Sequence, residues 1–504
     1  LAGAPVLAAP APAVQHAEGI NWQAGDVDAA FALARSSNKP LFLYWGAAWC
    51  PPCNQVKATI FKRQDFIERS RFFIAVYIDG DAPGAQKLGA RFKVRGYPTM
   101  ILFKPDGSEI TRLPGEVDSE RYLQVLALGM NASDSMQHRL AAALAADSPI
   151  GADDWRLLSF YSWDTDEQQL LAGQDMGKVL GQLADAAARS RAAGDSALRL
   201  RLHALVAAAV QPDARPGAGS AEVARLMPAL NTPRIAHENM DILTNYAPEL
   251  VSLLSAPATA ERAQLASAFM TALHRLALDL TLSTTDRLNA LDAQVAVARL
   301  QTPSGPLAPA LLADVVARVQ QAERATTDAY ERQSVINAAA HTLGDAGLLD
   351  ASDQLLTAEL KRSHSPYYFM SSLAANAKKR GDTAAAVNWY GKAYDAATGP
   401  ATRLQWGVGY INAMIDLAPQ DEARIERAVH GVLTELAATP DAFYERNHTA
   451  LSRMGKKLLA WNGGARHGAV LDRARAQLDA ICSQLPAGDG QRASCQDVFK
   501  PLAR

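Results

Sequence analysis

The chain has 504 residues and a formal net charge of −2, with Lys and Arg scattered rather than clustered. That excludes the basic footprint of a nucleic-acid binder, and the length suggests about three units rather than one. No stretch approaches the roughly 20 apolar residues that span a bilayer, so the chain is not expected to be membrane-spanning.

In chain order, Leu1 to Ala17 has no acid and no Lys or Arg, and is built largely of Ala, Pro, Gly and Val. It reads as a signal tail ending near Ala11-Pro12-Ala13, or as a flexible Ala/Pro leader over residues 1–19. Both readings point to a periplasmic or otherwise exported protein; a disordered start to a cytosolic chain is the alternative. Residues 20–131 alternate helix and strand. Asp26 to Ser36 has helical spacing. Leu41–Trp45, Phe72–Ile78 and Thr99–Phe103 are continuous apolar runs, hence buried strands in a sheet covered on both faces. Lys104-Pro105-Asp106-Gly107 is a turn, because Pro presets φ and Gly accepts φ > 0. Glu109–Leu113 returns as a strand, and Ser119–Met130 closes the unit as a helix.

Beyond Met130, Ala and Leu dominate and charges fall at helical spacing, so the rest is expected to be all helical. We expect helical regions at 132–330 and 331–504. Loops break the pattern at 211–217 and 302–306, both rich in Pro. Ala339, Ala351, Leu355 and Ala358 recur as Ala374, Ala386, Tyr390 and Ala393, about 35 residues on, with Gly381-Asp382 as a turn between helices. This resembles a tetratricopeptide repeat; an Ala-rich solenoid or bundle is the alternative. Trp155, Tyr161 and Trp163 read as core or domain-contact residues. Trp389, Tyr390, Tyr394 and Trp406 read as a helix-hairpin core, with a peptide-binding groove as the sharper alternative.

The chemistry lies in Trp49-Cys50-Pro51-Pro52-Cys53, which follows the strand Leu41–Trp45 and opens a helix running to Phe61. Half a zinc site would need two more ligands of suitable spacing. The other cysteines, Cys482 and Cys495, lie at the far end of the chain, and the ten histidines are isolated, so no metal and no cofactor are expected. Cys50 would sit at a helix N-terminus, where unpaired amides and the helix dipole favour a thiolate. Pro52 suits an early helical position, which needs no N–H. Cys53, one turn inside, would be buried and placed to attack a mixed disulfide on Cys50. Cys482 and Cys495 flank a stretch containing Pro486, Gly488 and Gly490. They are a candidate structural disulfide worth about 3 kcal/mol by loop entropy; two unrelated buried thiols are the alternative. An even cysteine count in two local pairs fits an oxidising compartment.

Further on stands Phe92-Lys93-Val94-Arg95-Gly96-Tyr97-Pro98-Thr99-Met100-Ile101-Leu102-Phe103. Together with the Cys-Pro-Pro-Cys motif, this segment resembles the thioredoxin superfamily. The resemblance implies an α/β thioredoxin-like domain, and with the recurrence above the expected fold is that domain followed by an all-α, tetratricopeptide-like helical-repeat region. It implies that Pro98 is cis and packs against the disulfide, and that Tyr97 offers backbone groups to an extended substrate. Trp49, Pro51, Tyr97, Pro98 and Gly115 would form the substrate-binding strip. The segment from Ala58 to Asp81 is more similar to exported modules than to cytosolic thioredoxin. Thioredoxins commonly carry a buried Asp six residues before the first cysteine and a partner Lys on the next central strand. This chain has Tyr44 and Ala75 at those positions. Losing one would strand a buried charge; losing both is consistent. A water, or the Tyr44 hydroxyl, is left to serve Cys53.

Two functions follow. One is an exported thiol–disulfide oxidoreductase acting on a protein substrate with a disulfide or dithiol, its helical region recruiting clients or a membrane thiol-reductase electron donor. The other is a scaffold whose thioredoxin-like unit is a docking module.

Overall fold

The computed structural model describes residues 19–500 except 25, 146–149, 167–168, 172, 215–219 and 304. The leader reading at 1–18 and parts of the loops at 211–217 and 302–306 lie outside the described residues. The chain packs as two units: Ile20–Ile78 with Lys93–His364, and Asp79–Phe92 with Ser365–Arg504.

The first unit holds a five-stranded sheet of order β1-β3-β2-β4-β5, made of β1 (Trp22–Ala24), β2 (Leu41–Gly46), β3 (Ile74–Asp79), β4 (Thr99–Phe103) and β5 (Glu109–Leu113). β1 runs parallel to β3, whereas β2–β4 and β4–β5 are antiparallel, with Leu43 opposite Ile101 and Ile101 opposite Arg112. Every residue of β2 and β4 is buried, as continuous apolar runs require of a sheet covered on both faces. One face carries Phe42, Tyr44, Phe61, Phe66 and Tyr77, whose rings meet at centroid distances of 4.9–6.3 Å. The Pro-Asp-Gly turn forms as its residues dictate. Gly107 has φ +92°, and its N–H reaches the Lys104 carbonyl at 2.9 Å.

The helices α1 (Val27–Ser37), α2 (Pro51–Thr59), α3 (Gln64–Ser70) and α5 (Ser119–Asn131) pack with this sheet's unit; α4 (Ala85–Phe92) belongs to the second unit. Asp26 caps α1 by accepting from Ala29 N–H, and Asp118 caps α5 by accepting from Glu120 and Arg121 N–H. β5 is an edge strand that the following segment covers. Ser162 N–H donates to Arg112 O at 3.0 Å. The wholly buried Arg112 guanidinium pairs with Glu109 at 3.0 Å and donates to Thr165 O at 3.2 Å and to Gln169 at 2.8 Å. A covered edge has no ladder left to offer another chain. Trp155, Tyr161 and Trp163 are buried here, and Tyr161 Oη donates to Asp166 at 2.6 Å. They serve as core.

After α5 the described residues form helices and no strand. In the first unit these helices share a Leu-, Val- and Ala-rich core that includes Phe269, Leu291 and Val335. In the second unit the helices Pro366–Lys379 and Thr383–Ala396 form a hairpin around Gly381, at φ +78°, with Asp382 capping the second helix. Tyr394 is buried, and Trp406 Nε1 donates to Ser371 at 3.0 Å. α4 packs on the helix Glu445–Trp461. No helix among the described residues is long and apolar enough to cross a membrane.

Candidate functional site

The site is the junction of β2 and α2. Cys50 is the N-cap of α2, with extended φ/ψ of −69° and 114°. Pro51 and Pro52 fill the first two helical positions and bring no N–H, so the first free amide of the helix is that of Cys53. It donates to Cys50 Sγ at 3.1 Å. An amide and the positive end of a helix thus point at this sulfur, the arrangement that stabilises negative charge on it. Cys50 and Cys53 are disulfide-bonded, with Cα atoms 5.2 Å apart, and both are buried.

Around them lie the residues named from the sequence. Ala47, Cys50 and Cys53 form a small apolar cluster against which Trp49 and Tyr97 pack, their rings 6.2 Å apart edge to face. The Tyr97–Pro98 peptide bond is cis. A Cβ added to Gly115 would sit 3.1 Å from Pro98 Cγ, which puts the Gly115 loop against that proline. Trp49, Pro52, Tyr97, Pro98 and Gly115 are half-buried, while Pro51 is buried. Cys482 and Cys495 belong to the second unit. They are disulfide-bonded with Cα atoms 5.7 Å apart, joining the helices Gly468–Gln484 and Gly490–Asp497.

Several residues that hold the site carried no motif. Asn54, wholly buried, donates from Nδ2 to the carbonyls of Ala48 and Cys50, each at 2.9 Å. The Ala48 carbonyl also accepts from His364 Nε2 at 3.0 Å, and the Trp49 carbonyl accepts from Gln333 at 3.4 Å. Ser363 donates to Gln333 Oε1 at 2.7 Å, fixing that amide's orientation. α2 itself packs on the helix Ala329–Asp345. Gln55 donates to Asp286 at 2.6 Å and to Ser283 at 3.1 Å, the two residues of the capping box that opens the helix Thr284–Gln301. Burial pushes the Asp286 carboxyl up to about 6, against the hydrogen bonds from Ser283 and Gln55 that favour its charged form. The Cys-Pro-Pro-Cys loop is therefore buttressed by helices far along the chain.

Residues 27–129 match the family model of a thioredoxin-like domain. Over 101 residues the chain is 33% identical to the thioredoxin of Mycobacterium bovis, a match covering 20% of this chain and 83% of that one. The chain belongs to the thioredoxin family. Its thioredoxin-like domain is also 31% identical, over 103 residues, to the thiol:disulfide interchange protein DsbD of Pseudomonas fluorescens, covering 20% of this chain and 18% of that protein. The chain thus spans less than a fifth of the length of that relative. A solved thioredoxin from Thermus thermophilus aligns with 25% identity and a TM-score of 0.20, covering 22% of this chain and 85% of its own. Within the thioredoxin-like domain, the two positions that depart from the common pattern, Tyr44 and Ala75, are both buried on adjacent central strands.

Proposed function

We propose that this chain is an exported thiol–disulfide oxidoreductase that acts on protein disulfides, with Cys50 as the attacking sulfur and Cys53 as the resolving one. The observation that carries the reading is the Cys50 sulfur at the N-cap of α2, accepting the Cys53 amide. When the pair is reduced, that amide and the helix dipole favour the Cys50 thiolate. The thiolate attacks a substrate disulfide, a mixed disulfide forms, and Cys53 displaces the substrate sulfur. The half-buried strip of Trp49, Tyr97, Pro98 and Gly115 is where an extended substrate segment would lie. The relatives named thioredoxin and thiol:disulfide interchange protein support this class of chemistry. Two cystines in one chain support an oxidising compartment. In this reading the helical, tetratricopeptide-like region recruits the client protein or a membrane thiol-reductase that supplies electrons. The direction of flow follows from the couple's potential: near about −270 mV it is a reductase, near about −120 mV an oxidase.

A second reading, a scaffold with the thioredoxin-like unit as docking module, is favoured by one observation: Cys50 is 2% exposed. A Cys53→Ser variant separates the two. With a disulfide-bonded protein substrate it is expected to stall as a covalent adduct on Cys50, located by peptide mass mapping. If no adduct forms while the fold is intact, the scaffold reading stands and the enzyme reading fails.

A further inference from the structure

The sequence lacks the buried acid and its lysine partner on the neighbouring strand, yet a hydroxyl reaches the neighbourhood of Cys53 beside its apolar cluster. Tyr44 Oη lies 2.7 Å, and Cys53 Sγ 3.5 Å, from the point a Cβ on Gly46 would occupy. Hydroxyl and sulfur therefore share one small space that a glycine leaves open. Tyr44 is 1% exposed and Cys53 0%. The Tyr44 ring stacks on Tyr77 of β3, with centroids 5.2 Å apart and planes at 24°. Lys57 follows Cys53 by one turn of α2, and long helical side chains lean back over the preceding turn. Lys57 is buried, and its Nζ stands 5.5 Å from the Tyr77 ring centre and 5.6 Å from that of Tyr330. Ring faces attract a cation, so two tyrosines, one on the sheet and one on the helix Ala329–Asp345, hold the ammonium of a side chain that shares its face of α2 with Cys53.

We infer that Tyr44 and Lys57 are positioning residues for the resolving step, the Tyr44 hydroxyl donating a hydrogen bond to the Cys53 thiolate and the Lys57 ammonium supplying a positive field around it. The inference rests on the reading of Cys53 as the resolving thiol. In that step the Cys53 thiol gives its proton to solvent, and its sulfur forms a bond to Cys50 Sγ as the bond from Cys50 to the substrate sulfur breaks. The electron pair leaves on the substrate sulfur, which takes a proton from solvent. The substrate disulfide is thereby reduced by two electrons, and the protein's dithiol is oxidised. Positive charge and a hydrogen-bond donor favour the thiolate over the thiol, and so raise the fraction of Cys53 ready to attack. In this arrangement a base comes from neither central strand: β2 supplies the donor and the active-site helix itself supplies the charge.

The other titratable groups around this cluster are Tyr77, Tyr122 of α5, Tyr330 and His364. Burial, and then Tyr44, push the Tyr122 phenol well up. Burial lowers the His364 imidazole against the Ala48 carbonyl that favours its charge; Lys57 lowers it further, and Asp328 opposes. Both groups are thereby held neutral near pH 7, so neither brings a charge of its own to this cluster.

The test uses the full-length reduced protein and 5,5′-dithiobis(2-nitrobenzoate), followed by stopped flow. Attack by Cys50 releases one thionitrobenzoate, and attack by Cys53 on the resulting mixed disulfide releases the second. Tyr44→Phe and Lys57→Met are each expected to slow the second phase about tenfold at pH 7 and to move its pH midpoint up by about one unit, since thiolate fraction falls tenfold per unit. The first phase is expected to stay within about twofold, and Lys57→Arg to restore most of the second. A purely structural role would lower the melting temperature and leave the midpoint in place. Unchanged midpoints in both variants overturn the inference; should Lys57→Met not fold, Tyr44→Phe decides. A missing second phase in the wild type, or one that survives in Cys53→Ser, would instead sink the reading of Cys53 as the resolving thiol.

Discussion

The cystine of the first packing unit caps a helix, whereas the cystine of the second ties two helices together inside an apolar core. Cys50 sits where an amide and a helix N-terminus meet its sulfur, beside half-buried Trp49 and Tyr97. Cys482 and Cys495 are buried among Leu478, Ile481, Val498 and Phe499. The same bond is thus set in a place that favours a thiolate and in a place that penalises one. The difference teaches that function at a cysteine pair is decided by what would stabilise the reduced form, not by the bond itself. Under the proposed function, exchange chemistry falls to the first pair and a mechanical role to the second.

The largest expected effect breaks that assignment if it fails. Cys50→Ser is expected to cut reduction of a protein disulfide by at least a factor of about a thousand, the scale of losing an essential nucleophile. The double variant Cys482→Ser/Cys495→Ser is expected to keep the rate within about twofold and to lose about 3 kcal/mol of stability, the loop-entropy value for a bridge of this span. Turnover with a defined reductant and denaturant unfolding check the two halves. A double variant that loses its turnover while still folded would show that the second pair takes part in the chemistry.

The same contrast explains what could be read from the chain. The redox motif, the strands at 99–103 and 109–113 and the closing helix were legible because local residues determine them: unbroken apolar runs, a Pro-Asp-Gly turn and a Cys-Pro-Pro-Cys helix start. β3 was placed two residues early because Phe72 is apolar yet 66% exposed. β1 has three residues, and α3 buries only Phe66 and Ser70; neither offers enough apolar periodicity to be seen. The helical character beyond α5 was legible from Ala and Leu. Its role in holding the active-site loop was not, because His364, Gln333 and Asp286 reach that loop through tertiary packing and carry no local pattern. On β3 the position of the common pattern's lysine holds Ala75, whereas the buried lysine of this region, Lys57, comes from α2, where local pattern gives it no mark.

A smaller effect sharpens the comparison, because the first unit has a titratable clamp where the second has a covalent one. His237, on the helix Pro233–Glu238, pairs through Nδ1 with Asp279 at 2.9 Å and through Nε2 with Asp118, the N-cap of α5, at 3.6 Å. Asp118 chiefly, against partial burial, and then Asp279 raise the imidazole to about 9 from its ordinary 6.5. A folded-state value above the unfolded one means that the clamp contributes fully below about pH 6.5 and is lost as pH rises through about 9. At 1.36 kcal/mol per unit, discounted for partial exposure, the loss is on the order of 2 kcal/mol. Asp118 and Asp279 are both held below their ordinary value, so their own contribution runs the other way and fades only as the solution turns acidic. The wild type and a His237→Gln variant are therefore expected to differ most near pH 6 and to converge by about pH 10, measured by urea unfolding and by hydrogen exchange of the α5 amides. The double variant Cys482→Ser/Cys495→Ser is expected to leave that convergence in place, since it removes the staple of the other unit. Parallel stability curves for the two proteins across this range would show that α5 is held to the helical region by packing alone.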